Sequence, residues 1–275
     1  MGATTANSDG GGLAVVCKRL TRTFGSVRAV RDLDLEVRSG IIFGLLGPNG
    51  AGKSTTIRIL TTLLPPTSGE ARVAGLDVVA DAAKVRRRIG YVPQLLSADG
   101  ALTGRENLLL SARLYRIPRD QRAARIQAAL SFMELEHAAG QLVRTYSGGM
   151  IRRLELAQAM LHQPEVLFLD EPTIGLDPVA RHAVWQHLSA LRRETSMTIL
   201  LTTHDMDEAA ALCDEIAFMH AGAVSVAGRP DDLTAAIGPE ATLDDVFIQV
   251  AGGTIDEGGT YRGVGQLRSS IRRRG

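Results

Sequence analysis

Two hydrophobic periods alternate along the 275-residue chain and divide it into stretches of different character. Leu33, Leu35 and Val37 alternate with polar neighbours, as a half-buried strand requires. After the turn at Gly40, the apolar run at 41–46 reads as a buried strand entering a glycine-rich loop. A helix carrying Ile57, Ile59 and Leu60 follows, closed off by Pro65 and Pro66, and Val73, Val78 and Val79 then suggest short strands around Gly75. This first third is strand-rich with one central helix.

From 102 to 161 the apolar spacing becomes helical, opened by Thr103 and Glu106 at capping-box spacing and interrupted by Pro118. The strand period returns at 166–169 and 197–202. Between them lies a helix that Asp177 caps, Pro178 starts and Val184, Leu188 and Leu191 face inward. A strand, helix, strand order implies a parallel sheet, so the chain is of the α/β class. Runs at 216–219 and 223–227 flank Gly222 as a hairpin, and Leu243, Val246, Phe247 and Val250 fall on one face of a short helix. Residues 1–12 and the Gly- and Arg-rich stretch at 252–275 read as flexible tails around one domain at 13–251, with a helical subdomain at about 95–162.

The loop after the second strand run reads Gly47, Pro48, Asn49, Gly50, Ala51, Gly52, Lys53, Ser54, Thr55 and fits the phosphate-binding P-loop. Its glycines let backbone N–H groups wrap a phosphate chain and the next helix offers its positive N-terminus; Lys53 reaches the outer phosphates and Ser54 ligates Mg²⁺. A P-loop alone does not choose among GTPases, kinases, helicases and transporters. The apolar run at 166–169 ends in Asp170 and Glu171, placing two carboxylates where a buried strand delivers them beside the P-loop. Asp170 suits the metal shell and Glu171 suits polarisation of an attacking water. Ser147, Gly148 and Gly149 open a helical stretch and form a second candidate anion site, although Ser147 standing alone is also an ordinary helix cap.

Composition narrows the partners. A net charge of +1 and an aromatic fraction of 4% argue against a nucleic-acid surface, so phosphate binding must come from a local site. Cys17 and Cys213 lie far apart without metal spacing and read as reduced thiols. The first residues have no signal-peptide pattern, Ala6 breaks the myristoylation template, and no apolar run approaches the ~20 residues that span a bilayer. Any service to a membrane must pass through a partner chain. No internal repeat is visible, so a second copy of the unit must come from another chain.

The order of these motifs resembles the ATP-binding-cassette (ABC) ATPases over nearly the whole chain. Gln94 resembles the family's Q-loop glutamine, the residues from Ser147 to Gly149 its signature motif, Asp170 and Glu171 its Walker B pair, Gly175, Leu176 and Asp177 its D-loop, and His204 its switch histidine. Phe24 stands where the family stacks an aromatic ring on adenine. Met150 departs from the commonest signature, which has glutamine there, and YSGGMIRRLEL from Tyr146, with LDDVF from Leu243, is similar to the daunorubicin-resistance type of exporter ATPase. The resemblance implies a P-loop NTPase fold with an antiparallel β-subdomain and an inserted helical subdomain. It implies ATP and Mg²⁺ as cofactors, Glu171, His204 and Gln94 as catalytic residues, and Ser54, Gln94 and Asp170 around the metal. The implied partners are a polytopic membrane permease and a second cassette, an identical chain, at the cytoplasmic face of the membrane. Export of a hydrophobic solute is the leading reading, beside an importer ATPase and a soluble cassette protein with no transport role.

Overall fold

The computed structural model of the protein describes residues 12–252. Two sheets form its framework. The first is antiparallel, ordered β2-β1-β4-β5, from β1 (Leu13–Phe24), β2 (Val27–Arg38), β4 (Ser68–Val73) and β5 (Leu76–Asp77). The second is ordered β10-β9-β3-β8-β7-β6, from β3 (Ile42–Leu46), β6 (Ile89–Val92), β7 (Val166–Asp170), β8 (Thr198–Thr203), β9 (Glu215–His220) and β10 (Ala223–Gly228). It is parallel throughout except for the β9/β10 hairpin at its edge. The family expectation of an antiparallel subdomain beside a parallel core sheet is met.

The parallel sheet is covered on both faces, which is why its strands are apolar at successive positions. In β7, Leu167 and Leu169 point into one core and Val166 and Phe168 into the other; in β8 and β9, Ile199, Leu201, Ile216 and Phe218 share the first, while Leu200, Ala217 and Met219 share the second. The second core is closed by the antiparallel sheet, α1 (Lys53–Leu60) and α2 (Ala82–Arg88). The first is closed by α3 (Gly104–Leu114), α4 (Arg119–Phe132), α5 (Gly148–Met160), α6 (Pro178–Glu194), α7 (Met206–Leu212), α8 (Pro230–Ala235) and α9 (Leu243–Gly252). The helical insertion shares this core with the sheet. Burial of Phe168, at 0% exposure, contributes about 1.5–3 kcal/mol.

The caps expected from sequence are present. Thr103 Oγ1 accepts from Glu106 N at 3.2 Å while Glu106 Oε2 accepts from Thr103 N at 2.8 Å, and Asp177 Oδ1 accepts from Val179 N at 3.0 Å and Ala180 N at 2.9 Å above Pro178. Ala221 and Gly222, at φ 47° and 88°, make the two-residue turn of the β9/β10 hairpin. One expectation is corrected: Val78 and Val79 lie in a turn beyond β5, because Asp77 Oδ1 accepts from Val79 N at 2.8 Å and Ala80 N at 2.9 Å and curls the chain away from the sheet. The tails expected at 1–12 and 252–275 fall outside the described residues apart from their inner ends, Gly12, whose carbonyl accepts from Ser39 N at 2.8 Å, and Gly252, the last residue of α9. No helix among the described residues is long and apolar enough to cross a membrane.

Candidate active site

Strand β3 releases the chain into a loop that only glycine can turn. Gly47 has φ 151° and a Cβ there would lie 2.1 Å from the Met219 carbonyl oxygen; Gly52 has φ 105° and a Cβ there would lie 2.3 Å from that of Ala29. The loop ends at the N-terminus of α1, where first-turn amides and the helix dipole favour an anion. Lys53, the first residue of α1, is 5% exposed and folds back over the loop, its Nζ donating to the carbonyls of Gly47 at 2.6 Å and Pro48 at 3.3 Å.

Above the loop opens a cleft of about 310 Å³ lined by Phe24, Ala29, Pro48, Asn49, Gly50, Ala51, Gly52, Lys53, Ser54, Thr55, Gln94 and Glu171. Residues from four separate stretches of sequence therefore meet at one place. Phe24, at the end of β1, is 43% exposed and carries the Arg22 guanidinium 4.6 Å from its ring centre. An exposed ring at the mouth of a phosphate-sized loop can stack a flat heterocycle.

The carboxylates come from the C-terminal edge of the sheet. Asp170 ends β7 and its Oδ1 accepts from Ser54 Oγ at 2.9 Å and from Thr202 Oγ1 at 2.7 Å. Ser54 and Asp170 thus present hard oxygen donors side by side next to the loop, the donor chemistry that suits Mg²⁺. Among the described residues no group of three or more His, Cys, Asp or Glu side chains gathers as a metal cluster, so such an ion would draw its remaining ligands from phosphate, water and neutral oxygens such as the Gln94 amide. Tyr91 on the adjacent β6 stays a neutral phenol, pushed up to about 12 by burial and then by the charge of Asp170.

Glu171 follows in a strained conformation, φ 51°, pinned by its own N–H donating to Thr202 O at 3.1 Å and Thr202 Oγ1 at 3.0 Å. Its carboxylate is nearly enclosed, at 5% exposure, and bridges two groups: Lys53 Nζ lies 3.2 Å from Oε1, and His204 Nδ1 lies 2.7 Å from Oε2. His204 reaches it from beyond the end of β8. An acid held between a cation and a titratable imidazole at the edge of a phosphate cleft can orient a water for attack on a phosphoryl group.

Ser147, Gly148 and Gly149 do not line this cleft. They open α5, where Ser147 Oγ accepts from Met150 N at 3.3 Å as the N-cap, and where a Cβ on Gly149 would lie 2.7 Å from Ala180 Cβ on α6. Thr202 is the residue whose role sequence reasoning missed. It stands within the run read as a strand, and the signal was a polar, β-branched side chain directly after the apolar stretch Ile199, Leu200 and Leu201. Ala29, the one lining residue of the cleft not foreseen, carries no signal in the sequence.

A family profile described as ABC transporter matches residues 30–174. The chain belongs to the ABC transporter family. It is 44% identical over 225 residues to the daunorubicin/doxorubicin resistance ATP-binding protein DrrA of Streptomyces peucetius, covering 82% of this chain and 68% of that one. It is also 44% identical over 218 residues to the Nod factor export ATP-binding protein I of Rhizobium meliloti (strain 1021), covering 79% and 65%. The solved ATP-binding subunit of an ABC transporter superposes with a TM-score of 0.77 at 29% identity over 86% of this chain and 99% of that one. A dimeric ATP-binding cassette in a post-hydrolysis state, bound to ADP and Pi, superposes with a TM-score of 0.69 at 29% identity over 78% and 98%. This ABC subunit is an ATPase of the exporter type.

Proposed function

We propose that this ABC ATPase powers efflux of a hydrophobic solute through a separate, polytopic membrane subunit, and that it works as a pair of identical cassettes. The observation that carries the catalytic reading is the Glu171 carboxylate, bridged between Lys53 Nζ at 3.2 Å and His204 Nδ1 at 2.7 Å beside the P-loop. In this reading Phe24 stacks on adenine, the loop from Gly47 to Thr55 holds the phosphates, and the amine of Lys53 leaves Glu171 for the outer phosphates when ATP arrives. Ser54 and Asp170, with the Gln94 side chain, would hold a magnesium ion, which when bound neutralises phosphate charge. Glu171, freed from Lys53, orients the attacking water, and His204 keeps Glu171 in place and stabilises charge developing on the γ-phosphate. Positioning and charge do the work, since phosphoryl transfer asks for little covalent chemistry from the protein.

Ser147, Gly148 and Gly149 stand outside the chain's own cleft, and this supports a role on the ATP of a second cassette. That ATP would then be held by both chains, and loss of its γ-phosphate would release the interface. Leu95 and Leu96 are exposed directly after Gln94, and Leu110 and Leu114 are exposed one turn apart on α3; exposed apolar side chains of this kind suit a docked membrane subunit. The drug-resistance and export functions of these relatives support the direction of transport and a hydrophobic solute. Inside-out vesicles carrying both subunits, with doxorubicin fluorescence as the probe, test the proposal. ATP-dependent uptake that disappears in Lys53→Ala is expected, and equal uptake with and without ATP overturns it.

A further inference from the structure

Among the described residues the largest wholly buried side chain is charged and has no part in the cleft just described. Arg152, on α5 one turn beyond Gly148 and Gly149, is 1% exposed, and Glu155, three residues on, is 3% exposed. They pair with each other at 3.0 Å between Nη1 and Oε2. Everything else they hold is the irregular segment at 93–98. Arg152 Nη1 donates to the Pro93 carbonyl at 2.8 Å and Nη2 to the Gln94 carbonyl at 2.9 Å. Glu155 Oε1 accepts from the Ser97 hydroxyl at 3.1 Å, from the Ala98 amide at 3.3 Å and from the Ser97 amide.

Burying two charges is costly, and apolar side chains of similar volume serve stability as well or better. What a planar guanidinium and a carboxylate add is direction: each hydrogen bond has one geometry, whereas apolar packing tolerates sliding. The segment they grip has no helix or strand of its own to fix its register against α5. Gln94 lines the cleft, and its carbonyl accepts from Arg152. The other end of the linkage is the first turn of α5, capped by Ser147.

We propose that Arg152 and Glu155 are positioning residues that lock the glutamine loop to the signature helix, so that a shift of Gln94 on ATP binding carries Ser147, Gly148 and Gly149 with it toward the second cassette. The proposal rests on the roles given above to Gln94 and the serine-glycine turn. It makes the two anion sites of one chain mechanically dependent, so that loading one sets the geometry offered to the other.

The test uses the full-length purified chain. The double variant Arg152→Met/Glu155→Leu removes the pair without stranding a buried charge, and Arg152→Lys keeps the charge but loses the two-pronged grip on the carbonyls of Pro93 and Gln94. Thermal midpoint, affinity for a fluorescent ATP analogue and ATPase rate against ATP concentration are measured for each. The double variant is expected to unfold near the wild-type temperature and bind the analogue within about twofold of wild type. Its kcat is expected to fall by roughly 10- to 100-fold, the scale of an ångström-sized misplacement, with Arg152→Lys between the two. A double variant with wild-type kcat overturns the proposal, as does one in which affinity and thermal midpoint collapse together with kcat while Arg152→Lys is indistinguishable from wild type. Gln94→Ala is measured alongside. A normal Gln94→Ala protein beside an impaired double variant overturns the reading of Gln94 on which the proposal rests; an impaired Gln94→Ala beside a normal double variant overturns the lock alone.

Discussion

Replacing Glu171 with glutamine removes one oxygen's charge and almost nothing else. The isosteric side chain still fills a site that is 5% exposed, and its amide can still meet the His204 ring after a change of tautomer. Lys53 loses its partner at 3.2 Å but keeps the carbonyls of Gly47 at 2.6 Å and Pro48 at 3.3 Å, so no buried cation is left stranded. Stability should therefore change by no more than about 1 kcal/mol, the scale of one hydrogen bond. ATP binding should hold or tighten, because the phosphates no longer compete with the Glu171 carboxylate for Lys53. Hydrolysis should fall by about 10²–10⁴, or roughly 2.7–5.4 kcal/mol of barrier, the usual contribution of a positioned base. Single-turnover phosphate release at saturating ATP isolates the chemical step, and equilibrium titration gives the affinity. Release within about threefold of wild type at matched occupancy would refute the role of Glu171.

Three other substitutions probe separate parts of the account. Gly52→Ala places a methyl 2.3 Å from the Ala29 carbonyl at φ 105°, so it should cost more than about 1 kcal/mol in thermal unfolding and abolish ATP binding; a normal midpoint with normal affinity would contradict the loop geometry. Met150→Gln should change the ATPase rate only modestly, since Ser147 and the two glycines remain, and a loss as large as that from Ser147→Arg would show that Met150 has a role of its own. Burial holds the His162 ring below its usual pKa while Nε2 meets the Ile89 carbonyl at 2.9 Å. The unfolded chain therefore takes up a proton first as pH falls. The stability gained by keeping the ring neutral is present above about pH 6.5 and is lost as pH drops through the window between that value and the lowered folded one. His162→Gln should flatten this part of the pH profile of the unfolding midpoint, and an unchanged slope would dismiss the ring as its source.

Legibility in the sequence followed locality. Strands β3, β7, β8 and β9 of the parallel sheet were readable because a strand covered on both faces is apolar at successive positions, as 166–169 shows. Strand β1 was not, because Arg19 has φ 46° and its pairing with β2 slips between Cys17 and Leu20, which breaks the period of two. Strand β6 was too short, four residues with Gly90 and Tyr91 between Ile89 and Val92, to carry a period at all. The P-loop could be read directly, since a tight turn confines its chemistry to consecutive residues. The meeting of Ser54 with Asp170 was expected from a buried strand ending beside the P-loop, whereas that of Glu171 with His204 could only be inferred through the family's motif order, because the sheet and not the chain joins them. Arg152 and Glu155 gave no warning: three residues apart on a helix, they look like an ordinary surface ion pair until the fold shows them enclosed.

The central claim is that ATP is held between two copies of this chain, with the P-loop of one facing the serine and glycines of the other. Sedimentation of the Glu171→Gln protein with ATP and Mg²⁺, beside the same protein carrying Ser147→Arg as well, measures this directly. The account predicts a dimer for the first and a monomer for the second, at equal nucleotide occupancy. A monomer in both at full occupancy, or a dimer that Ser147→Arg leaves untouched, would contradict it.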